Sequence, residues 1–220
     1  MKQLFILLSF LLCTFTASSQ SKLFFGINAG PDFTLDNSLP LPTPDASFRN
    51  KPSWNFLARI GTDIGHNSRI RLDLGSIDMN SRLTYNYNSS PPDPEVPVKT
   101  ELAIHTAVLN FNYDYKAISF EKFDVYASAG LRAQFPTSKK ETTTYSDNRE
   151  VETTRVITQF NKSLYGFGAG IVLKYKHSDK AAFTLSPDYS HYFEGLNKGN
   201  SSSVKRLNLS VGVEYRLSME

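Results

Sequence analysis

Read in twos, residues 205–217 (KRLNLSVGVEYRL) separate into two faces. Leu207, Leu209, Val211, Val213, Tyr215 and Leu217 share one side of an extended chain, and Asn208, Ser210, Gly212, Glu214 and Arg216 share the other. The pattern predicts a strand with one apolar and one polar face. Seven further segments repeat it. Residues 23–34 set Leu23, Phe25, Ile27 and Ala29 against Phe24, Gly26, Asn28 and Asp32, and residues 54–65 set Phe56, Ala58 and Ile60 against Asn55, Arg59 and Asp63. Residues 69–87 begin with Ile70, Leu72 and Leu74 opposite Arg71, Asp73 and Gly75; their phase slips at Ser76 and Ile77, which predicts a bulge. Strands are also predicted over 101–116, 123–135, a segment ending at 176, and 181–193. No segment has a helical period.

The connections sharpen this picture. Links at 66–68, 118–122 and 177–180 are short, whereas 35–53, 88–100, 136–154 and 194–204 are long and polar. Strict alternation of short and long links around eight strands predicts an all-β fold: an eight-stranded antiparallel up-and-down transmembrane β-barrel with short periplasmic turns and long extracellular loops. A soluble lipocalin-like barrel, carrying a hydrophobic ligand in the periplasm with its apolar face inward, has the same periodicity. Two features favour the membrane. Glycines, Gly61, Gly65, Gly168 and Gly212 among them, fall on the polar face, where a narrow lumen has little room. Aromatics on the apolar face gather toward strand ends: Tyr113, Tyr115, Phe123, Tyr175, Phe183 and Tyr215 near the short turns, and Phe33, Trp54, Phe135 and Tyr189 near the long loops. Two such girdles are expected at the two membrane interfaces.

Composition agrees with one exported domain. The chain has 220 residues, 40% of them hydrophobic and 20% charged, and its mean hydropathy of −0.32 suits strands that are only half apolar. Residues 1–19 read as a signal peptide: Lys2, an apolar run over 4–15, then Ala17 and Ser18 before Gln20. Residues 20–220 form the expected barrel domain. Cys13, the single cysteine, lies in the apolar run, so disulfides are not expected. A net charge of +3 gives no case for nucleic acid.

With the polar face inward, Arg59, Arg71, Arg132, Lys174 and Arg216 share the lumen with Asp63, Asp73, Asp114, Asp188 and Glu214. Near balance of charge predicts a cross-lumen ion-pair network that plugs the barrel. The four histidines, His66, His105, His177 and His191, show no metal-ligand spacing. Some outer-membrane barrels are lipid-modifying enzymes with a rim His/Ser pair; here His191 and Ser190 are sequence neighbours and so point to opposite faces of a strand. No enzyme activity and no cofactor are expected. The long loops, including a stiff Pro-rich run at 91–97 and a charged, Thr-rich stretch at 139–155, are the expected working surface. The expected partners are the lipid bilayer and a protein bound at the outer loops, with the barrel monomeric.

The segments FFGINAGPDF (24–33), AVLNFNYDY (107–115), FDVYASAGLRAQF (123–135), YGFGAGIVLKY (165–175), FTLSPDYSHYFEGLN (183–197) and LNLSVGVEYRL (207–217), in this order and spacing, resemble the PorT-like outer-membrane β-barrel family of Bacteroidetes. The resemblance covers the mature chain and implies an outer-membrane location. For a few members it also implies a part in type IX protein secretion and gliding. The chain departs from the family at Pro31, where an aromatic is frequent, and in ending Leu217-Ser218-Met219-Glu220 without a terminal aromatic.

Overall fold

A computed structural model describes residues 23–35, 46–85, 95–155, 161–195 and 203–217. The expected signal peptide, the core of the Pro-rich run and parts of the long loops lie outside the described residues. Ten strands form one antiparallel sheet: β1 (Leu23–Thr34), β2 (Ala46–Lys51), β3 (Ser53–Asp63), β4 (Ser68–Tyr85), β5 (Pro97–Ser119), β6 (Phe123–Tyr145), β7 (Glu150–Arg155), β8 (Leu164–Lys176), β9 (Ala181–Tyr192) and β10 (Val204–Arg216). Eight of them close a ring, β1-β3-β4-β5-β6-β8-β9-β10, because β1 pairs with β3 on one side and with β10 on the other. Closure leaves no free edge within the ring.

The remaining two strands correct the expected loops. Residues 35–53 carry β2, which extends the line of β3 along β4: Lys51 lies opposite Asn80, and after a one-residue change of register Asn55 lies opposite Ile77. Pro52 occupies the change, where its missing N–H could not have served the ladder. Residues 136–154 are likewise no loop. The strand continues to Tyr145 and returns as β7, through a turn in which Asn148 adopts a φ of 63°. Alternating Thr and charged residues suit a solvated hairpin, and polarity had concealed it. The bulge expected at Ser76 and Ile77 is absent: β4 pairs with β5 in a single register from Ser68 to Thr84. Alternation holds there, but Ile77 and Met79 turn inward, so the apparent slip marks a change in what lines the lumen. Gly65, expected on the polar face, sits in the short turn after β3 with a φ of 137°.

β5 and β6 have 23 residues each, about twice the ~9–11 needed to cross a bilayer. With β2, β4 and β7 they raise a wall beyond the ring at the long-loop end. Around the ring, the outward positions are apolar and bare: Ile27 is 70% exposed, Leu131 67% and Val211 59%. An apolar belt of this extent cannot remain in water.

Candidate functional site: the lumen

Inward positions of successive strands meet across a narrow axis, and Glu214 of β10 is their hub. Its carboxylate accepts hydrogen bonds from Arg59 Nη1 of β3 at 3.0 Å, Arg69 Nη1 of β4 at 3.0 Å and Lys174 Nζ of β8 at 2.8 Å. Arg59 Nε also donates to Asp73 at 2.8 Å, and Arg69 Nε to Asp114 at 2.8 Å. The Arg69 guanidinium lies 4.1 Å from the centre of the Tyr126 ring and 5.1 Å from that of Phe24. Arg71 stands between Asp73 at 3.4 Å and Asp114 at 3.6 Å and donates to Ser128 Oγ at 3.3 Å. These side chains are buried, so each charge depends on its partners in place of solvent.

A second tier lies toward the long loops. Arg132 of β6 donates to Asp188 at 2.6 Å and to Asn112 Oδ1 at 2.7 Å, and Ser190 Oγ donates to Asp188 at 3.0 Å. The Arg132 guanidinium rests on Gly168, where any Cβ would occupy its space. Asn112 Nδ2 donates to Asp73 at 3.3 Å and joins the tiers. A third pair, Asp32 with Arg206, links β1 to β10. Between these groups, a cavity of about 40 Å³ lies among Arg71, Arg132, Gln134, Ser186 and Asp188, room for water-sized guests.

Toward the long loops apolar side chains enter the lumen beside the buried polar Asn55, Thr106 and Gln134. Leu57, Ile77 and Val108 form one buried cluster, Met79 and Ile104 a second, and Leu164, Tyr192 and Val204 a third.

Of the ten lumen residues expected from sequence, Arg59, Arg71, Asp73, Asp114, Lys174 and Glu214 come together in the first tier, and Arg132 with Asp188 in the second. Asp63 and Arg216 pair at 2.9 Å, but at the partly exposed short-turn rim. Asp32, already on the predicted polar face, was left out of the expected network, and Arg69 and Arg206 were missed; both follow the parity of an inward neighbour, two residues from Arg71 and Asn208 respectively, and that parity could have found them.

The sequence profile of the outer membrane protein beta-barrel domain matches residues 5–216. The chain belongs to this family. Among solved structures, this outer-membrane barrel is similar to a major outer membrane protein from Thermus thermophilus, with a TM-score of 0.53, 13% identity, and 90% of this chain and 100% of that one covered. It is also similar to OprG of Pseudomonas aeruginosa, with a TM-score of 0.50, 10% identity, and 89% and 96% covered. No curated protein matches it by sequence. The protein resides in the outer membrane, its apolar belt against lipid.

On the outward face of the outer-membrane barrel, Phe33, Trp54, Tyr113, Tyr115, Phe123, Phe135, Phe183 and Tyr215 are exposed, while Tyr175 and Tyr189 are half-buried among neighbours there. Phe123 and Tyr175 stack with ring centres 5.0 Å apart. His191 packs at 5.4 Å from Phe167 on the outward side, whereas Ser190 bonds into the lumen. They do not form a pair. His105 meets Asp78 at 2.7 Å on the outward face. Among the described residues, no group of three His, Cys, Asp or Glu side chains is placed to hold a metal.

Proposed function

We propose that the protein is a non-enzymatic, monomeric membrane anchor with a plugged lumen, whose work is done by the wall it raises outside the membrane. The observation that carries this reading is Glu214 gripped by cations from three other strands at 2.8–3.0 Å, which bars the axis near its short-turn end. The apolar clusters at the other end and the ~40 Å³ cavity between them support it, since a permeating solute needs a continuous wet path. His191 and Ser190 on opposite faces support the absence of a rim hydrolase. Motif order supports membership of the PorT-like branch, and with it an accessory role in secretion or gliding through a partner at the wall. Planar-bilayer recording tests the plug. Purified protein gives no porin-sized conductance steps; sustained steps of that size would refute it.

A further inference from the structure

The wall carries cations on its outward face just above the outer aromatic belt. In cross-strand register, Lys51 of β2, Asn80 of β4, Ala103 of β5 and Lys140 of β6 form one row. Arg49, Arg82, Glu101 and Thr142 form the next. Lys99, opposite Thr84 on β4, follows on β5. Lys51 Nζ, Arg82 Nη2 and Lys99 Nζ all converge on one oxygen, Glu101 Oε1, at 2.7, 2.7 and 3.0 Å. Arg49 faces Arg82 directly across the strand pair and is exposed, with no carboxylate partner among the described residues. Three cations therefore share a single carboxylate and a fourth, Arg49, stands opposite one of them, where like charges directly opposed are unfavourable without a further anion.

Their height identifies the anion. Trp54 precedes the Asn55–Ile77 pair, so it is level with Asp78; the Lys51 and Arg82 rows stand two and four residues further along β4. At ~3.4 Å per residue that is ~7 and ~14 Å along the strand, or ~5 and ~10 Å of height at the usual tilt. A bilayer's headgroup layer is ~5–8 Å deep on each side. Lys51 and the Arg49–Arg82 pair bracket the plane of lipid phosphates, Lys99 stands a row higher with its Nζ reaching back to Glu101 at 3.0 Å, and all four lie on the outward face rather than toward the lumen.

We propose that Arg49, Lys51, Arg82 and Lys99 bind the phosphoryl groups of a phosphorylated glycolipid of the outer leaflet, with Glu101 screening the cations from one another until phosphate arrives. The inference rests on outer-membrane placement and not on the plugged lumen, so conductance data do not bear on it.

The test is retention of diphosphoryl lipid A by the purified barrel in nanodiscs, measured by native mass spectrometry against enzymatically dephosphorylated lipid A. A cation near an anionic surface contributes about fivefold in affinity, so Arg49→Gln, Arg82→Gln and Lys99→Gln together weaken retention on the order of a hundredfold. The dephosphorylated lipid binds weakly to both proteins, and millimolar inorganic phosphate leaves the lipid A in place. Glu101→Gln removes the internal competitor and tightens retention severalfold. The positions are exposed or half-exposed, and unchanged heat-modifiable mobility verifies folding of each variant. A loss under about threefold in the triple variant, equal retention of dephosphorylated lipid, displacement by inorganic phosphate, or no tightening in Glu101→Gln would each overturn the proposal.

Discussion

Replacing Glu214 by glutamine keeps its shape and removes its charge, and the structure fixes what is left behind. Before the change, Arg59, Arg69, Arg71 and Lys174 share Asp73, Asp114 and Glu214; afterwards the same cations share the two aspartates. Arg59 retains Asp73 and Arg69 retains Asp114, so the loss falls hardest on Lys174, whose ion pair is with Glu214. Breaking a buried ion pair on one side costs about 3–5 kcal/mol, because the stranded charge stays desolvated. That lowers the folding constant by a factor on the order of hundreds to thousands. Urea titration in detergent micelles, read by the fluorescence of Trp54 and by heat-modifiable gel mobility, measures it. A second substitution, Lys174→Met, in the Glu214→Gln background recovers a large part of the loss, since it removes the stranded cation. A loss below about 1 kcal/mol, or a double variant as unstable as the sum of the two single variants, would refute the hub.

Gly168→Ala pushes the Arg132 guanidinium off its seat and away from Asp188, costing about 1–3 kcal/mol by overpacking in the same urea titration. Val211→Arg places a charge in the apolar belt and costs about 2–4 kcal/mol if the site is near the bilayer midplane, whereas Val211→Leu is nearly neutral. Glu101 titrates at about 2 because Lys51 and then Lys99 and Arg82 hydrogen-bond its carboxylate, outweighing its partial desolvation. A depressed folded value means that its stabilisation is complete above the ordinary value of 4.5 and fades as pH falls toward 2; exposure limits it to about 1 kcal/mol, and Glu101→Gln removes that pH dependence. External protease on intact cells cuts in the β6–β7 turn at 146–149, whereas cleavage only after the outer membrane is permeabilised would invert the orientation.

Period-two alternation was enough to read the ring, because a strand with lipid on one side and a polar lumen on the other leaves the strongest signature a strand can have. It placed Arg59 with Asp73 and Arg132 with Asp188 inside without knowledge of their partners. It failed where the contrast between faces inverts or disappears. At Ile77 and Met79 the inward residues are apolar and the outward Ser76, Asp78 and Asn80 polar, the reverse of the ring below, and this inversion was mistaken for a slip. Leu57 and Val172 were passed over because each stands next to an outward apolar residue, Phe56 and Ile171; such doubled apolar positions signal an apolar side chain on the lumen face. β2 and β7 have six residues each and are mostly polar; β2 alternates Ala46 and Phe48 with Ser47, Arg49 and Lys51, a pattern too short to stand out from a loop. Arg69 and Arg206 were lost at strand starts, where boundaries are least legible.

The central claim is that Leu209, Val211 and Val213 touch hydrocarbon while Ser210, Gly212 and Glu214 face an enclosed axis. Spin labels attached to single cysteines along 207–215, in vesicles, test it through collisions with oxygen, which concentrates in lipid, and with a water-soluble nickel chelate. Oxygen access peaks at 209, 211 and 213 and falls at 210, 212 and 214, with little nickel access at any of the six; a reversed phase, or nickel access at 209, 211 and 213, would contradict the account.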